Sequence, residues 1–204
     1  MVAGTRKERE FERRESEILA AALGLFARDD WELVTVDEIA KKSDIGKGTI
    51  YKHFESKDEI YARLALDFKR NLLMQIQQID NKLSAVEFFR EMTSLAWSAH
   101  LESKELHRVV LFCGQQEFRR NLPARVLDEF NAVDSAINKA IVDCITQGIE
   151  EGIFRSKPID CILFNVSSAF WGAIQIIWGG CIAETNRDQY CNELTSFMLA
   201  GLTH

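Results

Sequence analysis

Along the first third of the chain, apolar residues recur three and four positions apart. Phe11, Ile18, Leu19, Ala22, Leu25 and Phe26 form one stripe and predict a helix from about Glu8 to Arg28. Asp29 and Asp30 break the pattern, and Trp31 and Leu33 are expected to pack the connection. Val36, Ile39 and Ala40 fall at i, i+3 and i+4 after Thr35 and predict a short second helix. Ser43-Asp44-Ile45-Gly46 reads as a turn, with Asp44 tolerated where the backbone turns left-handed and Ile45 plugging the angle between helices. A third helix follows from about Lys47 to Phe54, with Ile50 and Phe54 inward. A fourth begins after Ser56 and carries Ile60, Tyr61, Leu64, Phe68 and Leu72 as one stripe, which marks residues 57–78 as a connector. Thr35 with Glu38, and Ser56 with Glu59, both fit the capping-box spacing that starts a helix.

From about Leu83 onward helical spacing continues, basic density falls and aromatics thicken through Phe88, Phe89, Trp97, Phe112, Phe118 and Phe130. Pro123 suits the first turn of a long helix reaching about Glu151. Ser156-Lys157-Pro158 introduces another, Ile159 to Trp178, which is apolar nearly all round. Gly179-Gly180 ends it, and a last helix from about Arg187 carries Tyr190, Leu194, Phe197, Met198 and Gly201. No segment alternates at period two, and 2 prolines and 11 glycines in 204 residues favour long helices. The expected fold is all-α: a three-helix N-terminal domain over residues 1–56, then a helical domain over 57–204 that opens with the connector.

Composition narrows the chemistry. No apolar run is uninterrupted over the roughly 18–20 residues a membrane span needs; Cys161 to Trp178 is broken by Asn165, Ser167, Ser168 and Gln175. The opening MVAGTRKEREFERRE has no apolar core of a secretory signal, so the expected location is cytoplasmic and no membrane partner is expected. Five cysteines without a C-x-x-C pair argue against a disulfide framework or structural zinc. Neither a metal nor another cofactor is expected. The four histidines, His53, His100, His107 and His204, show no chelating spacing, and nucleophile-elbow, phosphate-cradling and H-E-x-x-H motifs are missing, so an enzyme is not expected.

The net charge of −6 is unusual for a nucleic-acid partner, but the segment from Lys41 to Lys57 sets Lys41, Lys42, Lys47, Lys52 and Lys57 against only Asp44 and Glu55. Local potential decides binding more than the global sum. A compact helix-turn-helix with a basic outer face points to a DNA reader.

Thr35-Val36-x-x-Ile39-Ala40 followed by Ile45-Gly46-Lys47-Gly48-Thr49-Ile50-Tyr51-x-His53-Phe54-x-Ser56-Lys57-x-Glu59 resembles the TetR family of transcriptional repressors over roughly residues 8–65. Asp44 departs from the glycine that the family often places there. The resemblance implies a DNA-binding set of Thr35, Gly46, Lys47, Gly48, Thr49, Tyr51, Lys52, His53 and Lys57. Lys47 would meet guanine or phosphate, Gly48 would let the backbone approach the groove, and Thr49 would meet a phosphate or a thymine methyl. Tyr51, Lys52 and His53 would face phosphates, as would Thr35 and Lys57 at helix N-termini.

The same resemblance implies a homodimer on a palindromic operator in double-stranded DNA, because one recognition helix covers only a few base pairs. Phe170, Ile174, Ile177 and Trp178, with Leu194 and Phe197 from the last helix, are the expected dimer interface. It also implies a small-molecule effector of apolar or aromatic character. Phe88, Phe89, Met92, Trp97, Phe112 and Trp171 are candidate walls, with His100, Cys113, Gln116 and Gln175 as polar anchors. Ligand binding would tilt the connector and change the separation of the two recognition helices. A thiol switch using Cys113, Cys144, Cys161, Cys181 or Cys191 is the alternative regulator.

Overall fold

In the computed structural model, which describes residues 5–203, ten α-helices follow one another. They are α1 (Arg6–Leu25), α2 (Val36–Lys42), α3 (Lys47–His53), α4 (Lys57–Ile76) and α5 (Ala85–Glu102). After them come α6 (Lys104–Gly114), α7 (Gln116–Arg120), α8 (Ala124–Glu150), α9 (Ile159–Trp178) and α10 (Arg187–Leu202). Short 3-10 turns occupy Trp31–Leu33 and Glu184–Asn186. The fold is all-α, with a helix-turn-helix near the N-terminus. Contacts divide the chain into two units, Met1–Phe68 with Lys104–Phe130, and Lys69–Ser103 with Asn131–His204. The first unit is therefore not continuous in sequence.

The first unit is built round an aromatic cluster. Phe26 at the end of α1 lies 4.5 Å from Tyr61 of α4, ring centre to ring centre, and 6.0 Å from Trp31. Phe112 of α6 meets Trp31 at 5.3 Å and Tyr61 at 5.6 Å, both edge-on, so α6 completes this core. Arg108 of α6 donates to the carbonyls of Phe26 and Arg28. A guanidinium there satisfies carbonyls that the end of α1 leaves without intrahelical partners. Arg63 of α4 donates to Glu15 of α1 at 2.7 Å. The tyrosine hydroxyl of Tyr61 donates to the Trp31 carbonyl, and burial pushes its ionisation well above the ordinary phenol range.

The second unit gathers α5, the later part of α8, α9 and α10. Trp97 Nε1 of α5 donates to Thr195 Oγ1 of α10 at 3.0 Å, and that hydroxyl donates to the Cys191 carbonyl at 2.8 Å. All three residues are buried, so the chain of bonds satisfies an indole N–H that has no access to water. Gly148 of α8 makes room for the Phe154 ring, since a Cβ built there would stand 2.2 Å from it. Phe154 pairs with Thr203 in an isolated antiparallel bridge, and Arg155 N donates to Leu202 O at 2.7 Å.

α1 begins earlier than expected, at Arg6, because Thr5 and Glu8 form a capping box of their own. Phe11 was expected in the buried stripe but is 46% exposed, and Leu33 is 73% exposed. Periodicity identifies a face and not whether a neighbour covers all of it. Ser56 accepts from Glu59 N, yet Glu59 reaches back to the Glu55 N–H in place of the Ser56 N–H. Pro123 stands just before α8, its carbonyl accepting from Leu127 N, one position earlier than expected. α9 has the predicted ends, but Phe164 is 72% exposed, so one side of this apolar helix is uncovered. By length and composition alone α9 is long and apolar enough to cross a membrane.

Candidate nucleic-acid interface

The interface is assembled by local rules. Thr35 caps α2: its Oγ1 accepts from Glu38 N at 3.2 Å, while Glu38 Oε2 accepts from Thr35 N at 2.8 Å. These bonds to the Thr35 backbone, with Arg28 at 2.7 Å, hold the Glu38 carboxyl down to about 2. At the other end of α2, Ile45 N donates to Ala40 O and Asp44 N to Lys41 O. That is the Schellman pattern, with Asp44 in the left-handed position at φ 53°. Ile45 is buried behind it and fixes the angle at which α3 departs.

α3 then presents two unlike sides. Ile50 and the capping Phe54 are buried. Gly46, Lys47, Gly48, Tyr51 and Lys52 are exposed, and Thr49 is half-buried. A Cβ built at Gly46 or Gly48 would meet nothing within 4 Å. Neither glycine is needed for packing, which leaves a low backbone profile on an exposed surface. Tyr51, 49% exposed, points out while Ile50 beside it points in.

The remaining predicted contacts are more engaged. Lys47 Nζ lies 2.8 Å from Asp37 Oδ1 of α2, and this partner holds its ammonium above the ordinary lysine range. Lys57 Nζ donates to Glu32 O at 2.6 Å and lies 5.4 Å from the Tyr61 ring centre. Thr35 Oγ1 is committed to Glu38. His53 is half-buried and stacks on Phe11 at 4.0 Å, which explains the exposed phenyl of α1. The Asp37 and Phe11 partnerships are invisible to spacing within one helix, since each joins two elements.

The candidate effector residues separate. Phe89, Met92, Trp97 and His100 are buried along α5. Trp97 and His100 join Phe170 and Trp171 in an aromatic cluster, with Trp97–Phe170 at 4.2 Å and His100–Trp171 at 4.9 Å. Phe112 and Gln116 belong to the first unit, where Phe112 is part of the core and Gln116 is exposed. Gln175 is exposed on α9. In the second unit a groove of about 360 Å³ runs along α9 and α10, over Ser168, Ala169, Gly172 and Ala173, with Trp97 at its wall. Those small residues, at i, i+1, i+4 and i+5, are the signal that sequence reading passed over.

Of the expected dimer set, Ile174 and Ile177 are buried within the single chain. Trp178 Nε1 donates to the His100 carbonyl, and Arg187 lies over its ring at 4.8 Å. Phe170 and Leu194 are half-buried. Phe197 is 70% exposed. Among the thiols, Cys113, Cys144 and Cys191 are buried, Cys161 and Cys181 exposed. Burial pushes Cys144 up to about 12 and Cys191 to about 11.

A capped helix, a Schellman turn and a second helix with an exposed polar face define a helix-turn-helix regulator of transcription. Residues 18–64 match the description of the bacterial regulatory proteins, tetR family. Over that segment the chain is similar to this family of DNA-binding transcriptional regulators. Over 192 residues it is 26% identical to the HTH-type transcriptional repressor KstR2 of Mycolicibacterium smegmatis, covering 93% of this chain and 91% of that one. In structure it resembles the ketosteroid transcriptional regulator KstR2 of Mycobacterium tuberculosis, with TM-score 0.75, 23% identity and 94% and 95% of the two chains covered. FadR from Bacillus subtilis, solved with stearoyl-CoA, aligns with TM-score 0.71 at 17% identity over 91% of this chain and 98% of that one.

Proposed function

We propose that this regulator is a cytoplasmic homodimeric repressor that reads an inverted-repeat operator with α3 and leaves it when a small apolar molecule binds the second unit. The observation that carries the DNA-reading half is the exposed face of α3, Gly46 to Lys52, held by the Schellman turn at Asp44. Thr35, Gly46, Lys47, Gly48, Thr49, Tyr51, Lys52, His53 and Lys57 make up the reading surface. Lys57 and Thr35 act partly by shaping it, given their bonds within the protein.

Two-fold pairing is supported by a surface that a single chain leaves uncovered. Phe164, Trp171 and Ile176 of α9, with Tyr190 and Phe197 of α10, are large apolar side chains open to solvent. An exposed apolar patch of this kind marks an interaction surface. A second copy is favoured over a bilayer because Asn165, Ser168 and Gln175 interrupt the exposed positions of α9. The set Phe89, Met92, Trp97, His100 and Trp171, of which Trp97 also lines the groove along α9 and α10, is proposed for the effector, and the ketosteroid and stearoyl-CoA named for the KstR2 and FadR structures support a ligand with a large apolar part. A thiol switch would draw on exposed Cys161 or Cys181, because Cys113, Cys144 and Cys191 are buried, and burial raises Cys144 and Cys191 further from the thiolate form.

The test is capture of genomic fragments by purified protein at about 150 mM salt, where binding through phosphates alone is weak. Recovery of a few fragments sharing an inverted repeat is the expected result. Recovery of bulk DNA, or of none, rejects the reading. Release of those fragments by acyl or steroid compounds, and not by peroxide, separates a ligand from a thiol.

A further inference from the structure

Lys47, the first residue of the recognition helix, is held by a residue of the preceding helix. Its ammonium sits 2.8 Å from Asp37 Oδ1 and 2.9 Å from Oδ2, so one carboxylate takes it with both oxygens. Asp37 is not the cap of α2. Thr35 and Glu38 already satisfy that helix start reciprocally. The Asp37 side chain is 67% exposed and lies on the same surface as Lys47. A carboxylate on a surface meant for DNA is an electrostatic cost unless it serves a purpose there.

Lysine–phosphate contacts supply affinity that ignores sequence, each releasing counterions, whereas base-edge contacts supply discrimination. A lysine already paired at 2.8 Å offers a phosphate much less. We propose that Asp37 is a specificity-determining residue, which holds Lys47 off the phosphate backbone so that binding depends on base-edge contacts from the α3 face. The proposal rests on the DNA-reading function above. Asp37 also places negative charge in the first turn of α2 and offsets Lys47 at the positive end of α3, which a purely structural role would explain equally well. Salt dependence separates the two, because a structural role changes folding stability and not the number of phosphates contacted.

The experiment measures binding of a random-sequence duplex pool across a salt series to wild type, Asp37→Asn, Lys47→Ala, the double variant and Asp44→Asn. Asp44→Asn removes a charge from the same surface without freeing Lys47, and asparagine tolerates the left-handed backbone. Asp37→Asn is expected to bind the pool roughly two- to fivefold more tightly, the scale of one exposed ion pair. Its plot of log affinity against log salt should be steeper by about one. Neither Asp44→Asn nor Asp37→Asn in the Lys47→Ala background should steepen it. Rounds of selection from the pool should give a weaker consensus with Asp37→Asn than with wild type. An Asp37→Asn slope equal to that of Asp44→Asn, or unchanged or weaker pool binding, overturns the role of Asp37. If Lys47→Ala loses affinity in that case, the DNA-reading function stands without it. If no form binds duplex even at low salt, both fall.

Discussion

Asp44 shows how a single position sets the turn on which recognition depends. It is the one described residue other than glycine with positive φ, and it sits where the Schellman turn needs a left-handed residue. Aspartate tolerates that conformation but still carries a Cβ. Asp44→Gly should therefore raise stability by up to about 1 kcal/mol, seen as a melting temperature higher by about 2–4 °C for a chain of this size. An unchanged or lower melting temperature would show that the side chain contributes more than it costs. In the second unit, Thr195→Val keeps the shape but removes the acceptor for Trp97 Nε1. Leaving that buried N–H unsatisfied should cost about 1–3 kcal/mol in urea denaturation; a loss near zero would mean that the indole finds another acceptor.

The capping box of α2 carries a pH dependence at the level of the element. Glu38 is held down to about 2 by the Thr35 backbone first, then by Arg28 and the Thr35 hydroxyl, whereas an unfolded glutamate titrates near 4.5. Its contribution is thus complete above 4.5 and fades as pH falls toward about 2. Thr35→Ala should flatten that part of the stability profile, and an identical acid slope in both proteins would remove the box from the account. The box at Thr35 was legible because partners three residues apart obey a local rule, and the α4 stripe from Ile60 to Leu72 was legible for the same reason. Phe11 misled because its neighbour, His53, lies 42 positions away, and a periodic stripe continues past the edge of the core. The Lys47–Asp37 pair and the place of Phe112 beside Trp31 depend equally on how helices meet. Ile174 and Ile177 are buried while Phe164 and Ile176 of the same helix are exposed, and because α9 is apolar on every side, sequence could not say which side faces its own chain.

At the scale of the whole molecule, the uncovered side of α9 and α10 makes assembly testable without DNA. Phe197→Glu, or Phe164→Glu, places a charge on a side chain that packs against little of its own unit, so each variant should fold with unchanged helicity. Each should shift the population from dimer to monomer in sedimentation, and weaken operator binding at least tenfold through loss of the second half-site. A dimer that persists in both variants would place the interface elsewhere.

The discontinuous first unit has a consequence for anyone who would rewire this regulator as a biosensor. Chimeras are naturally cut at the end of the recognition helix or along the connector, grafting one protein's reader onto another's sensor. Here such a cut would leave the carbonyls of Phe26 and Arg28 without Arg108, and Trp31 and Tyr61 without Phe112. A transplantable reader has to bring residues 104–130 along, so the modularity suggested by linear order is not the modularity of the folded chain.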